Sequence, residues 1–108
     1  MLNLTGLVNI YDDIFNERRR QFKKWGNQDT VPMLSNDTSI EEIKGYATVS
    51  KMFNDKNKNI SFYEILIEEV FEAFAEEPYS ESQRDELVQV AAVVVQIIEI
   101  IDRKRSKE

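Results

Sequence analysis

Apolar residues recur every three or four positions along most of the chain, the spacing that places them on one face of an α-helix. The first such stripe predicts a helix over residues 5–25. Gly26 follows in the position where helices commonly end, and a polar connector that contains Pro32 comes next. The stripe consists of Leu4, Leu7, Tyr11, Ile14, Arg18, Phe22 and Trp25. Because strand-like alternation is scarce, the pattern predicts an all-α protein.

Serine residues mark the starts of three further predicted helices. Ser39 and Ser61 each stand three residues before a glutamate, which is the spacing of a capping box. Ser80 or Ser82 is expected to cap the last helix, whose far end is rich in Lys and Arg, as suits the helix dipole. These helices are predicted over residues 39–54, 61–77 and 81–103. The helix over residues 61–77 ends directly before Pro78.

The last helix is apolar nearly all round its middle, from Val90 to Ile101. Its three consecutive valines at 93–95 alone would favour a β-strand, but the helical periodicity continues over residues 86–102, which exceeds ordinary strand length. A helix that is apolar around its circumference is buried on several sides, and a chain of 108 residues has few other helices to cover it. We therefore expect one domain over residues 1–108, an antiparallel helical bundle completed by oligomerisation.

Composition narrows the chemistry that this domain can perform. The chain has no Cys and no His, so thiolate and imidazole chemistry are excluded and any metal must be bound through oxygen. A net charge of −6 disfavours broad binding to nucleic acid or anionic membranes and suits divalent cations. No apolar run reaches the roughly 20 residues of a membrane span, and the N-terminus lacks the pattern of a secretory signal. A cytoplasmic location is expected.

Carboxylates interrupt the otherwise apolar third helix. Glu68, Glu69 and Glu72 share an arc of roughly 100° in helical projection, and Glu86 and Gln89 stand three apart near the start of the fourth helix. Two antiparallel helices that present oxygen ligands in this way could surround a hard cation. The alternative is a solvated acidic face, with Glu86 as a first-turn acid near the helix dipole. Acidic helix faces are common, so spacing alone favours this alternative.

A resemblance to a known family favours the metal-site interpretation of these carboxylates. Glu68-Glu69-x-x-Glu72 followed by Glu86-x-x-Gln89 resembles the EExxE…ExxD signature of the MazG-like all-α nucleoside triphosphate pyrophosphohydrolases. The surrounding residues 62–103 look like the phage and bacterial branch of that family, and residues 17–28, ERRRQFKKWGNQ, add to the similarity. Residues 27–59 contribute least.

The resemblance implies a helical homodimer or homotetramer that cleaves a nucleoside triphosphate into monophosphate and pyrophosphate with Mg²⁺, or Mn²⁺ in its place. It places the metal ligands on Glu69, Glu72, Glu86 and Gln89, with Glu68 beside them to position the attacking water. Gln89 departs from the family pattern, which has Asp there. An amide still offers a carbonyl oxygen but lacks the charge that strengthens Mg²⁺ binding.

Basic and aromatic residues of the first helix are candidates for substrate binding. Arg18 and Lys24 could contact phosphate oxygens, as could the neighbouring Arg19, Arg20 and Lys23, and Trp25 could stack on the base. The alternatives are a solvated basic face and a core tryptophan. Nucleic acid is an unlikely partner because no recognisable binding motif is present.

Two functional hypotheses from different classes follow. The first is nucleoside triphosphate pyrophosphohydrolysis that cleans or balances a nucleotide pool. The second is a noncatalytic oligomeric binding or scaffold protein with a degenerate metal site, in which the fold persists after the loss of the full ligand set.

Overall fold

The computed structural model describes residues 2–57 and 59–106, and within these ranges it contains four α-helices and no β-strand. The valines at 93–95 lie within the last helix, so the helical interpretation of that segment is confirmed. The all-α prediction is confirmed as well. The helices are α1 (Leu4–Trp25), α2 (Ile40–Lys56), α3 (Phe62–Ala75) and α4 (Glu81–Ser106).

Capping residues fix both ends of α1. The Asn3 side chain accepts a hydrogen bond from the Gly6 backbone N–H at 2.9 Å, which satisfies one of the amides left free at a helix start. At the other end Gly26 has a φ of +66°, and its N–H donates to the carbonyl of Phe22 at 2.7 Å. A glycine tolerates this positive φ at no steric cost, which is why the helix ends where the sequence predicts.

The serine caps of α2 and α3 are also confirmed. Ser39 Oγ accepts a hydrogen bond from the backbone N–H of Glu42 at 3.1 Å. Ser61 and Glu64 form a full capping box at the start of α3. These side chains replace the missing intrahelical partners and set the first residue of each helix.

The prediction that the third helix reaches residue 77 is wrong. Helix α3 ends at Ala75, and Glu76 is extended, with φ −75° and ψ 159°. Pro78 disfavours helical backbone in the residue before it, and the segment that joins α3 to α4 needs these residues for its turn. Ser80, rather than Ser82, caps α4, since its Oγ accepts the backbone N–H of Gln83 at 3.0 Å.

The chain forms two compact units, which we describe separately. One consists of Met1–Val31 and Val95–Glu108 and contains α1 and the last part of α4. The other is Pro32–Val94, in which α2 packs against α3 and the rings of Tyr46 and Phe71 lie 5.5 Å apart. The expectation of a single domain over residues 1–108 stays a prediction.

The apolar stripe of α1 is mostly exposed in the isolated chain. The buried residue of this helix is Ile10, which lies outside the predicted stripe. Leu4 is 70% exposed, Phe22 60% and Trp25 54%, so Trp25 is not a core residue of this chain. In the part of the chain that the structure describes, no helix is long and apolar enough to cross a membrane.

Candidate metal centre

Three carboxylates of α3 and α4 meet in the unit Pro32–Val94. One oxygen each of Glu69, Glu72 and Glu86 lies within 4.8 Å of the others, and we call these residues the carboxylate cluster. Ligands on opposite sides of a Mg²⁺ ion are about 4.2 Å apart, twice the length of a Mg–O bond. The three oxygens are therefore already close to the spacing of ligands that share one small cation.

The link between α3 and α4 brings Glu86 to the cluster. The Gln83 side chain is 2% exposed and bridges this link: Nε2 donates to the carbonyl of Ala73 at 3.2 Å, and Oε1 accepts the N–H of Tyr79 at 2.9 Å. The Ala73 carbonyl belongs to the last turn of α3, where backbone acceptors lack intrahelical partners. Gln83 thus ties the end of α3 to the start of α4, less than one helical turn before Glu86.

The positions of the glutamates argue against a solvated face. Glu69, Glu72 and Glu86 are all half-buried. Glu86 lies in the second turn of α4, and the acid of the first turn is Glu81, so the interpretation of Glu86 as a first-turn acid is wrong. The helix dipole acts mainly on the first turn, and it does not account for Glu86.

Burial and like charges together make this cluster electrostatically costly. Burial, followed by the charges of Glu86 and Glu68, raises the pKa of Glu69. Burial also leads the causes that raise the pKa of Glu72, followed by the charges of Glu69, Glu68 and Glu86, while Lys51 acts in the opposite direction. Crowded carboxylates of this kind destabilise a fold unless a proton or a cation neutralises them.

Two oxygens of the cluster lack partners among the described residues. Oε2 of Glu69 and Oε2 of Glu86 are buried and accept no hydrogen bond there. Buried polar atoms without a partner are rare, because each one costs about 1–3 kcal/mol. The cluster offers only carboxylate oxygens, and oxygen ligands suit a hard cation such as Mg²⁺ or Mn²⁺. The residues therefore fit the ion that the sequence predicts.

Glu68 lies beside the cluster rather than within it. It precedes Glu69 on α3, and its charge contributes to the raised pKa of both Glu69 and Glu72. Its Oε1 accepts a hydrogen bond from Asn54 Nδ2 at 3.3 Å. Glu68 is not one of the three glutamates whose oxygens lie within 4.8 Å of one another.

Sequence analysis missed Asn54 and Gln83, although both carry a signal. Asn54 is 8% exposed and continues the inner face of α2 that includes Ile43, Ala47 and Ser50. Gln83 stands four residues before Leu87 and continues the face of α4 in the same way. An amide at a position where helical periodicity expects an apolar side chain is the pattern that would have identified both residues.

Gln89 lies on the same helix as Glu86, three residues further on, and it is exposed. This spacing keeps it on the same side of α4 as Glu86. Its role as a fourth ligand stays a prediction.

The predicted substrate-binding residues lie on α1, in the other compact unit. Arg18 Nη1 donates to Gln21 Oε1 at 2.9 Å, and Lys24 Nζ lies 5.0 Å from the centre of the Trp25 ring. Arg18, Lys24 and Trp25 are all exposed. Their contact with phosphate or base stays a prediction.

Comparisons with protein-family models, curated proteins and solved structures found no match to this chain.

Proposed function

We propose that this chain is a Mg²⁺-dependent nucleoside triphosphate pyrophosphohydrolase of the MazG-like type, which releases a nucleoside monophosphate and pyrophosphate. The observation that carries the proposal is the meeting of the Glu69, Glu72 and Glu86 oxygens within 4.8 Å. All three residues belong to the motif on which the resemblance rests. The unpartnered oxygens of Glu69 and Glu86 support the proposal, because a bound cation would satisfy both of them.

The residues of the chain divide the work of this reaction. Glu69, Glu72 and Glu86 would hold Mg²⁺, and the ion would supply positive charge to the phosphates and acidify a bound water. Glu68 would orient the attacking water or accept its proton. It is a carboxylate next to Glu69 that is not one of the three cluster residues, and its Oε1 accepts a hydrogen bond from Asn54.

A screen for pyrophosphate release tests this proposal directly. Purified protein is incubated with canonical and modified nucleoside triphosphates in Mg²⁺ or Mn²⁺, and pyrophosphate is measured. Release from at least one triphosphate, lost when the metal is chelated, is the expected result. Failure with every triphosphate and both metals would favour the noncatalytic scaffold with a degenerate metal site.

Replacing Gln89 with Asp should strengthen the metal site. The added carboxylate supplies the charge that the family pattern has and this chain lacks, so we expect Gln89→Asp to bind Mg²⁺ about tenfold more tightly and to keep or raise activity. Isothermal titration with Mg²⁺ and Mn²⁺ measures the change. Gln96→Asp, at an exposed position of the same helix, is the matched control and should leave affinity unchanged. Equal affinities for Gln89→Asp and the wild type would remove Gln89 from the ligand set.

We also propose that the chain assembles into a homodimer or homotetramer. Large hydrophobic side chains of α1, α2 and α4 are more than a third exposed, among them Tyr11, Phe22, Met52, Val88 and Ile101. Among residues 2–57 and 59–106, the buried hydrophobic residues are few by comparison: Ile10, Ala73 and Val95. A second copy of the chain offers the apolar surface that such faces need.

Charge introduced into the exposed part of α4 should dissociate this assembly. Ile101 is 47% exposed, so Ile101→Glu leaves the isolated chain intact but places a charge in the interface, and we expect the dissociation constant to rise at least about 100-fold. Light scattering at several concentrations measures the mass, with Gln96→Glu as a control of equal charge. A wild-type mass of 12.7 kDa at tens of micromolar would contradict the proposed assembly.

A further inference from the structure

Asn54 is a buried asparagine near the end of α2, and its amide nitrogen hydrogen-bonds to two acceptors on α3. Nδ2 donates to the backbone carbonyl of Glu64 and to Oε1 of Glu68, each at 3.3 Å. An asparagine amide has two N–H groups, so one nitrogen can donate to both acceptors. Asn54 is 8% exposed, and a buried amide of this kind is normally hydrogen-bonded within the protein.

The two contacts have different consequences. The Glu64 carbonyl belongs to the rigid backbone of α3, so this contact fixes the Asn54 amide relative to that helix. The same nitrogen also donates to a carboxylate one helical turn further along, at Glu68. Since one end of the bridge is held by backbone, the other end restrains the rotamer of a flexible side chain.

Glu68 needs such a restraint. The charges of Glu69 and Glu72 lie close to it, and like charges would drive its flexible side chain out toward water. A hydrogen bond from Asn54 to Oε1 opposes that movement and leaves Oε2 available to accept a hydrogen bond from water. Groups that orient a functional side chain in this way commonly affect activity by about 10–100-fold when they are removed.

We propose that Asn54 is a positioning residue that holds the Glu68 carboxylate beside the carboxylate cluster in the orientation that the attacking water requires. This inference depends on the proposed pyrophosphohydrolase function. Asn54 contacts neither metal nor substrate in this scheme, and it acts only through Glu68. The inference adds to the motif a residue from α2, a helix that the EExxE…ExxQ pattern does not include.

Removal of the amide should lower turnover without weakening binding. For Asn54→Ala we expect kcat to fall about 10–100-fold, while the KM for the metal–triphosphate complex and the Mn²⁺ affinity measured by titration stay within about threefold of wild type. Asn16→Ala, at an exposed asparagine of α1, is the matched control and should leave all three quantities unchanged. An Asn54→Ala variant with wild-type kcat would overturn the inference while leaving the proposed function intact.

A double variant distinguishes positioning from a general structural role. If Asn54 acts through Glu68, Asn54→Ala should have little further effect on kcat once Glu68→Gln is present, because the two residues act as a unit. Independent, multiplicative losses would show that Asn54 supports the fold and not Glu68, which would overturn the inference.

A spectroscopic measurement covers the case in which Asn54→Ala fails to fold. In nitrogen-edited NMR spectra of the full chain, the Asn54 side-chain amide signals should shift on Glu68→Ala and should stay in place on Glu77→Gln, an exposed glutamate of the α3–α4 link. Unshifted Asn54 signals in Glu68→Ala would overturn the inference. A wild type that binds no Mn²⁺ and releases no pyrophosphate would overturn the inference and the proposed function together.

Discussion

Replacing Glu72 with Gln should stabilise the metal-free protein and at the same time abolish its stabilisation by Mg²⁺. Burial first, and then the charges of Glu69, Glu68 and Glu86, raise the pKa of Glu72, so its ionised form is disfavoured in the fold. The neutral amide removes this repulsion, and we expect a gain below about 1 kcal/mol because the side chain is partly exposed and screened. A ligand at 100 times its dissociation constant stabilises a protein by about 2.7 kcal/mol, and the variant should lose that increment.

Thermal and urea unfolding of wild type and Glu72→Gln, each with and without Mg²⁺, provide the measurement. If the proposed pyrophosphohydrolase function is correct, the activity of the variant should fall by about 100-fold or more, since a proposed metal ligand is lost. Glu77→Gln, an exposed glutamate in the same unit, controls for the change in net charge. Equal stabilisation of all three proteins by Mg²⁺ would show that any metal binds elsewhere.

The same carboxylates predict opposite pH dependences for stability and metal binding. A raised pKa means that folded Glu69 and Glu72 retain protons at pH values where the unfolded chain has released them. Their contribution to the stability of the metal-free protein therefore falls as pH rises from about 4.5, the ordinary range of Glu, towards neutrality. Metal affinity should rise over the same interval, because protons and the cation compete for the same oxygens.

The sequence predicts the helices well because their starts and ends depend on local contacts. Ser39 and Ser61 cap the helices that their spacing indicates, and Gly26 ends α1 as expected. The end of α3 is the exception. It depends on Pro78 and on the Gln83 bridge, which connects residues ten apart along the chain, and no local pattern records such a contact.

Helical periodicity predicts one part of the candidate site, and the other part depends on a tertiary contact. Glu69 and Glu72 are neighbours on one helix, so their proximity follows from a spacing of three. Their meeting with Glu86 depends on the path of the link, and the sequence could indicate it only through resemblance to a family signature. The burial of Ile10 could not be predicted from periodicity either, because Ile10 lies outside the apolar stripe predicted for α1.

Loss of the Gln83 side chain should have the largest effect on stability of any single change proposed for the unit Pro32–Val94. Gln83→Ala leaves a cavity. It also removes the hydrogen-bond partner that the Gln83 side chain provides to the Ala73 carbonyl and to the Tyr79 N–H. Unpaired buried groups cost about 1–3 kcal/mol and truncation of a buried side chain adds a cavity term, so we expect a loss of about 2–4 kcal/mol.

Gln83→Ala should also weaken metal binding. Gln83 accepts a hydrogen bond from the N–H of Tyr79, which has a φ of +67° in the turn before α4, and Glu86 lies on α4. We expect Mn²⁺ affinity to fall at least about tenfold in Gln83→Ala. Gln83→Leu fills most of the volume but restores neither hydrogen bond, so it should recover part of the stability and little of the affinity. Gln96→Ala, exposed on the same helix, is the control. Wild-type Mn²⁺ affinity in Gln83→Leu would show that the two hydrogen bonds do not position Glu86.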